Sequence, residues 1–276
     1  MEERIIQNLK TKSGKLLFFG GVYSNLQSLE ALQKWAVDNQ YSPHNIFCTG
    51  DILGYCAQPV ECIQLIRDWG IHSIAGNVEL QIRNGDEDCG CDFKEGGRCD
   101  LFSRNWYGYT QSRMNEETTS WLHTLPHHIQ FSYGGRNLII VHGSWFQTSE
   151  FIFRSTPWEI KEANFEATGS EVIIAGHCGL PFAHAKGKNT WINAGVIGMP
   201  ANDGTDRVWF VTMNEEGDNL NYEFHNYRYD NQQTGKQMRE NNLPLSYATT
   251  LLTGVWDNCE ILPAVETAQQ GQKLQL

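Results

Sequence analysis

Four side chains that can hold a metal ion follow predicted strands at well-separated places in the sequence. They are Asp51, Asn77, His142 and His177. A glycine precedes three of them, and glycine lets the backbone turn tightly enough for a short side chain to enter a shared cleft. Carboxylate, amide and imidazole donors together suit Mn, Fe or Zn. Each residue alone could be a turn or a satisfied core group, but the ordered series predicts one metal site.

The elements that must position these side chains alternate between strand and helix. Apolar runs at 15–20, 45–49 and 72–75 predict strands, and periodic stretches at 25–38 and 59–69 predict helices. This alternation is typical of parallel βαβ units, in which the chemistry lies at the carboxyl ends of the strands. We therefore expect Asp51 and Asn77 to meet at one edge of a sheet.

The rest of the chain predicts further strands around a polar interruption. A glycine-rich stretch at 78–106 interrupts the regular pattern. Later elements are predicted helices at 115–123 and 158–168, and predicted strands at 128–133, 137–141, 171–175, 190–196, 207–213 and 219–226. The organisation that follows is one domain over residues 1–228, with a cysteine-rich insertion at about 84–105. Residues 229–276 are expected to form a helical appendix, with a disordered polar end from residue 269.

Three cysteines cluster in the insertion, and a fourth adjoins a candidate ligand. They are Cys89, Cys91 and Cys99, with Cys178 beside His177. Together they form a second candidate metal site, for Zn or Fe, although their spacing departs from the paired Cys-x-x-Cys pattern of zinc sites. Free thiols and a redox disulfide are the alternatives.

Composition and charge exclude several classes of protein. The chain has 276 residues and a net charge of −11, which argues against a nonspecific nucleic-acid binder or a protein of anionic membrane surfaces. It contains no run of about 18 apolar residues, and its first 14 residues lack the apolar core of a signal peptide. We expect a cytoplasmic protein with reduced or metal-bound cysteines. The oligomeric state does not follow from the sequence.

Six segments resemble the calcineurin-like metallophosphoesterases, in particular their small bacterial branch. They read FGGVYSNLQSLEAL, CTGDILGYCAQPVECI, IAGNVEL, IIVHGSW, IIAGHCGLPF and WINAGVIGMP. The resemblance implies an α/β fold, a four-layer α-β-β-α sandwich of two mixed sheets. It also implies a site in which two metals share a carboxylate and activate water. Asp51 corresponds to that carboxylate, and Asn77, His142 and His177 correspond to the second metal's other ligands.

The other half of the family's site departs from the pattern. Gly21 and Tyr23 stand at the family's Asp-x-His motif, Val78 replaces the histidine of Gly-Asn-His, and Gly179 replaces the last histidine of Gly-His-x-His. By the resemblance, the first metal keeps only Asp51, so we expect a single ion. Tyr23 could ligate oxidised iron, donate to a bound anion, or line the cleft as a packed aromatic, which is the favoured reading.

Three functional hypotheses follow. The leading one is a hydrolase that cleaves the phosphoester or phosphoanhydride of a small substrate with one metal, and prefers activated esters such as aryl or cyclic phosphates. The second is a pseudoenzyme, a ligand-binding or regulatory module that keeps the fold and recognises a nucleotide, a small anion or a partner protein. A separate alternative for the four residues is a metal-free relic in which they hydrogen-bond one another. The third makes the cysteine loop the functional centre. No nucleic-acid or membrane partner is expected.

Overall fold

The computed structural model describes residues 4–91, 93–216, 219–274 and 276, and they form two mixed β-sheets with helices outside. The strands are β1 Ile6–Asn8, β2 Leu16–Phe19, β3 Ile46–Cys48, β4 His72–Ser73, β5 His128–Tyr133, β6 Arg136–Ile140, β7 Val172–Ala175, β8 Phe182–Lys186, β9 Asn189–Asn193, β10 Val208–Glu216 and β11 Asn219–Tyr227. The helices are α1 Leu26–Asp38, α2 Pro59–Trp69, α3 Asn77–Asn84, α4 Arg98–Arg113, α5 Glu116–Leu122, α6 Trp158–Thr168, α7 Asn231–Glu240, α8 Leu245–Thr253 and α9 Ala264–Thr267, with a 3-10 turn at Pro43–Asn45.

The two sheets have different strand orders. One has the order β1-β5-β6-β7-β9-β8 and the other the order β11-β10-β2-β3-β4. Strands β2, β3 and β4 are parallel, as are β6, β7 and β9, so the predicted βαβ units are present in both sheets. Antiparallel β10 extends the second sheet beside β2.

Side chains that point alternately to the two faces of each buried strand produce four layers. Phe18 of β2 and Phe47 of β3 face the core between the sheets, where Phe47 stacks on Phe131 of β5 at 5.0 Å. Leu17 and Phe19 face the opposite side and pack under the outer helices. Because successive side chains of a strand point to opposite faces, an uninterrupted apolar strand is buried on both sides. The α-β-β-α sandwich is confirmed.

Two helices lie where the sequence predicted only an interruption. Helix α3 begins at Asn77, because the Glu79 side chain accepts the Gly76 N–H and caps the first turn, and it ends at left-handed Gly85. Helix α4 has a weak apolar stripe with Ser103 and Thr110 on its buried face, so its periodicity was missed. The edge strands β1 and β8 were also missed, because they are short and partly exposed.

The C-terminal segment is packed rather than peripheral. Met238 of α7 and Leu251 of α8 belong to the same core cluster as α1 and α2. Disorder from residue 269 is wrong for residues 269–274, since Gln270 Nε2 donates to the Trp256 carbonyl at 3.0 Å and Gly271 N donates to Asn202 at 2.8 Å. Gln275 lies outside the described residues. The division at residue 228 stays a prediction. Among the described helices, none is long and apolar enough to cross a membrane.

Candidate metal site

The four predicted ligands come from both sheets and meet at one edge of the sandwich. Asp51 follows β3, and Asn77 opens α3 just after β4. His142 and His177 follow β6 and β7 of the other sheet. Asp51 and His177 have left-handed backbones, with φ of 56° and 59°, which turn their side chains back toward the strand ends. All four side chains are buried.

His142 Nε2 is the centre of the cluster. It lies 3.2 Å from Asp51 Oδ2, 3.0 Å from Asn77 Oδ1 and 3.1 Å from His177 Nδ1. Its other ring nitrogen, Nδ1, lies 2.7 Å from the Thr49 carbonyl oxygen and donates to it. A neutral imidazole that donates through Nδ1 carries its lone pair on Nε2. The lone pair of His142 therefore points at the other three side chains.

The Asn77 amide is held with its oxygen toward this centre. Its nitrogen, Nδ2, donates to the Cys89 carbonyl at 2.8 Å and to Cys91 Sγ at 3.2 Å. An amide whose NH₂ group is engaged on one side presents its carbonyl oxygen on the other. The loop that carries Cys89 and Cys91 thus sets which atom of Asn77 faces His142.

The arrangement fits a metal ion. A carboxylate oxygen, an amide oxygen and an imidazole nitrogen lie about 3 Å from His142 Nε2; the two oxygens are acceptors, and His177 Nδ1 is one in the tautomer protonated at Nε2. Lone pairs packed this closely need a cation or a proton between them. Mixed oxygen and imidazole donors are the set that borderline divalent metals take. Of the described residues, the one group of His, Cys, Asp and Glu side chains whose ligand atoms come close enough is Asp51, His142 and His177, within 4.8 Å.

In the protein without metal, a proton takes the place of the cation. Burial alone would raise the pKa of Asp51, but the charge and hydrogen bond of His142 hold it below its ordinary value. Burial lowers the pKa of His142, yet the Asp51 carboxylate opposite raises it above its ordinary value. Burial, followed by the charge of His142, lowers the pKa of His177 to about 3. These shifts favour the ionised form of the pair Asp51 and His142 and the neutral form of His177.

Close backbone approach requires glycine beside the ligands. A Cβ at Gly76 would lie 2.2 Å from Asp51 Oδ1. Gly50 has φ of 95°, and a Cβ there would lie 2.5 Å from the backbone nitrogen of Gly76. Heavy atoms cannot approach this closely, so these glycines allow the two loops to pack together beneath the ligands.

Glu79 is a site residue that the sequence reasoning missed. Its fully buried carboxylate accepts backbone N–H groups from Asp51 at 2.8 Å, Gly76 at 2.8 Å and Leu53 at 3.0 Å. It therefore ties the Asp51 loop to the start of α3. Burial, and then the charge of Asp51, raise the pKa of Glu79 to about 7. Its place in the first turn after Asn77 was the available signal, because an acidic residue there caps a helix.

Aromatic rings adjoin the glycines that stand at the family's other ligand positions. A Cβ at Gly21 would lie 2.6 Å from the Tyr23 ring, and a Cβ at Gly179 would lie 3.2 Å from the Trp256 ring. Both rings line a cavity of about 60 Å³ that Asp51 and His177 also border. Tyr23 thus lines the cleft, as the packed-aromatic alternative predicted.

The cysteines do not assemble into a thiol–metal site among the described residues. Cys89 and Cys91 are joined by a disulfide. Cys99 Sγ lies 3.3 Å from Asn258 Oδ1, and Cys178 Sγ lies 3.6 Å from the Leu180 carbonyl oxygen. Each sulfur therefore has another partner, and the four-cysteine group expected from the sequence is not formed. The alternative of a disulfide in the loop fits the structure.

Solved structures share this fold, and a further protein is similar in sequence. The hypothetical protein PH1004 from Pyrococcus horikoshii OT3 has a TM-score of 0.74 at 19% identity, covering 88% of this chain and 99% of that one. A metallophosphoesterase from Sphaerobacter thermophilus has a TM-score of 0.67 at 25% identity, covering 88% and 100%. The uncharacterized protein MJ0912 of Methanocaldococcus jannaschii is 26% identical over 243 residues, which are 81% of this chain and 91% of that protein.

A family model extends the likeness to a named superfamily. The model of the calcineurin-like phosphoesterase superfamily domain matches residues 25–216. That range begins at the residue before α1 and ends with β10. It contains Asp51, Asn77, His142 and His177. The chain therefore belongs to the calcineurin-like phosphoesterase superfamily.

Proposed function

We propose that this protein hydrolyses a phosphoester or phosphoanhydride with a single divalent transition metal, Mn, Fe or Zn. The ligands are Asp51, Asn77, His142 and His177. The observation that carries the proposal is the convergence of a carboxylate oxygen, an amide oxygen and an imidazole nitrogen on His142 Nε2 at 3.0 to 3.2 Å. Membership of a phosphoesterase superfamily supports the reaction class.

Each residue at this site has its own part in preparing the metal position. A metal bound here supplies a polarising charge for a phosphoryl oxygen and lowers the pKa of a water. Asp51 provides the anionic oxygen, and Thr49 fixes the tautomer of His142 through its carbonyl. The Phe151 ring, 4.3 Å from the His177 ring, limits how far that imidazole can turn. The chain thus preorganises its donors before a metal arrives.

A single ion is supported by what surrounds the other ligand positions. Gly21 and Gly179 carry no donor atom, and the rings of Tyr23 and Trp256 lie against them. Burial, followed by the charge of Tyr55, raises the pKa of Tyr23 well above its ordinary value in the protein without metal. We therefore assign one metal rather than two.

The substrate must present a small group to the site. The cavity of about 60 Å³ beside Asp51 and His177 leaves room for a small group such as a phosphoryl group. Val78 is fully buried and offers no proton to a leaving group. Esters whose leaving groups need no protonation, such as aryl and cyclic phosphates, are therefore the preferred substrates. The net charge of −11 disfavours nucleic acid as a substrate.

A metal-reconstitution assay tests this function. Protein stripped with chelator and reloaded with Mn²⁺ should hydrolyse aryl phosphomonoesters, aryl diesters or cyclic phosphates, and His142→Gln should abolish that activity. His123→Gln is the matched control, since His123 is exposed at the end of α5. Metal-loaded protein that binds phosphate without turnover on the whole panel would favour the pseudoenzyme, and activity that survives metal removal would contradict the mechanism.

A further inference from the structure

We propose that Cys89 and Cys91 form a reversible thiol–disulfide modification site that sets the metal affinity of the cluster through Asn77. The inference rests on the proposed function in taking Asn77 as a ligand. The two cysteines are joined by a disulfide, and they lie two residues apart in the loop between α3 and α4. Neither residue has a part in the reaction proposed above.

The coupling between the two sites is a pair of contacts. Asn77 Nδ2 donates to the Cys89 carbonyl oxygen at 2.8 Å and to Cys91 Sγ at 3.2 Å. The oxygen of the same amide lies 3.0 Å from His142 Nε2. Both half-cystines therefore hold one end of a side chain whose other end faces the metal position. Partners of this kind fix the orientation of a ligand, and their loss typically weakens metal binding 10- to 100-fold.

The described part of the segment between α3 and α4 that carries the two cysteines has no regular secondary structure. Between Asn84 and Arg98, the described residues form no helix or strand. Gly90, between the two cysteines, has φ of 62° and donates its N–H to Asp88 Oδ1 at 2.8 Å. The disulfide is the covalent link that closes this short turn against Asn77. Opening it returns conformational freedom to the residues that hold the amide.

Cys89 and Cys91 are largely buried, with 4% and 6% of their surface exposed, but both border space that is open to solvent. Cys89 and Cys91 line an open surface depression of about 730 Å³. Acidic side chains also line it, namely Glu87, Asp88, Glu95 and Asp100. The depression therefore admits a small uncharged dithiol more readily than an anionic thiol. On its inner side, Cys91 borders the cavity shared with Asp51 and His177.

The chemical step is an ordinary exchange. A dithiol reductant attacks one sulfur as a thiolate, the Cys89–Cys91 bond breaks, and a mixed disulfide forms. The second thiol of the reductant then closes a ring on itself and releases the protein sulfur. Two electrons and two protons pass from the reductant, which becomes a cyclic disulfide, and both cysteines become thiols. A disulfide oxidant reverses the step.

The test measures Mn²⁺ affinity in both redox states. Mn²⁺ is chosen because it prefers oxygen and nitrogen donors and does not report binding by free thiols. Oxidised protein and protein reduced with dithiothreitol, then desalted without oxygen, are titrated with Mn²⁺ by equilibrium dialysis. Alkylation and mass spectrometry count the thiols. Reduction should expose two further thiols, at Cys89 and Cys91, and raise the Kd for Mn²⁺ about 10-fold.

Two variants test whether the Cys89–Cys91 disulfide is the cause of the change in Mn²⁺ affinity. The double variant Cys89→Ser with Cys91→Ser should have the weaker affinity with and without reductant. Cys259→Ser should behave as the wild type, because Cys259 is a half-buried free cysteine outside the loop. An equal Kd for both states of the wild type, or no change in thiol count, overturns the inference while leaving the metal site intact. No Mn²⁺ binding in either state overturns both the inference and the proposed function.

Discussion

The indole of Trp256 lies against Gly179, where an added Cβ would be 3.2 Å from the ring. Gly179 has φ of 79°, a conformation that side chains other than glycine rarely adopt. The indole nitrogen donates to the Pro200 carbonyl oxygen at 2.7 Å, which fixes the ring in place. A residue of the C-terminal segment therefore covers the position at which the family's pattern has a histidine.

Replacing Gly179 by histidine should fail to restore a second metal. We expect Gly179→His to lower the free energy of unfolding by more than Gly187→His, which serves as the control. Gly187 has a similar φ of 61° but open space around it, so it isolates the backbone cost of about 1 kcal/mol. Thermal unfolding and elemental analysis provide the readouts. Two metal ions per chain in Gly179→His would show that the Trp256 indole does not block a ligand at this position.

A methyl group at Gly76 should displace Asp51. Because the added Cβ would lie 2.2 Å from Asp51 Oδ1, we expect Gly76→Ala to bind Mn²⁺ at least about 10-fold more weakly and to be less stable. Gly108→Ala is the control, since Gly108 lies within α4 with open space around it and alanine favours a helix by up to about 1 kcal/mol. Unchanged Mn²⁺ affinity in Gly76→Ala would argue against Asp51 as a ligand.

Removing one acceptor oxygen from Glu79 should lower the stability of the protein around the site. Glu79→Gln places an NH₂ group against backbone N–H donors that now meet a carboxylate, so we expect a loss of about 2 kcal/mol in the free energy of unfolding. Urea denaturation measures this loss. Glu30→Gln, on the exposed face of α1, should change stability little. Equal stability of the two variants would show that the three hydrogen bonds do not support the fold.

Acid should destabilise the protein through His128. Burial, and then the positive charges of Arg4 and His127, lower the pKa of His128 to about 3 from the ordinary value of 6.5. Between these values the unfolded chain binds a proton there and the folded chain does not. Stability therefore falls as pH decreases below 6.5, by about 1.4 kcal/mol per pH unit from this group.

Urea denaturation at several pH values between 7 and 4 tests this slope. His128→Phe keeps an aromatic ring 4.8 Å from Trp145 and removes the titrating group, so its stability should fall less steeply with acid than that of the wild type. His123→Phe, at an exposed position, should keep the wild-type slope. Parallel pH curves for wild type and His128→Phe would refute the assignment.

The resemblance of six segments to a known family predicted the sandwich fold, and local signals predicted the convergence of Asp51, Asn77, His142 and His177. Apolar strands ending in glycine-linked polar residues are local signals, and parallel strands bring their ends to one edge. The contacts that hold these side chains depend on distant segments. Glu79 supports Asp51 through a loop 28 residues away, and the sequence alone does not reveal that pairing.

The place of Trp256 in the cavity and the choice of Cys89 and Cys91 as the disulfide pair were beyond sequence reasoning for the same reason. Trp256 reaches Gly179 only because the segment after α8 folds back over the site. Cys99, grouped with Cys89 and Cys91 by proximity in the chain, instead meets Asn258. The three cysteines are close in sequence, but closeness alone did not predict which two form the disulfide. Cys99 belongs to α4, which places it beside a different partner.

Metal content tests the central claim most directly. Protein purified without added metal or chelator should contain about one transition-metal ion per chain by elemental analysis, and the double variant Asp51→Asn with His177→Ala should contain none. The control Asp68→Asn with His44→Ala changes the same residue types at exposed positions and should keep the metal. Metal retained in the Asp51 and His177 variant, or absent from the wild type even after loading with Mn²⁺, would contradict a metal centre at this cluster.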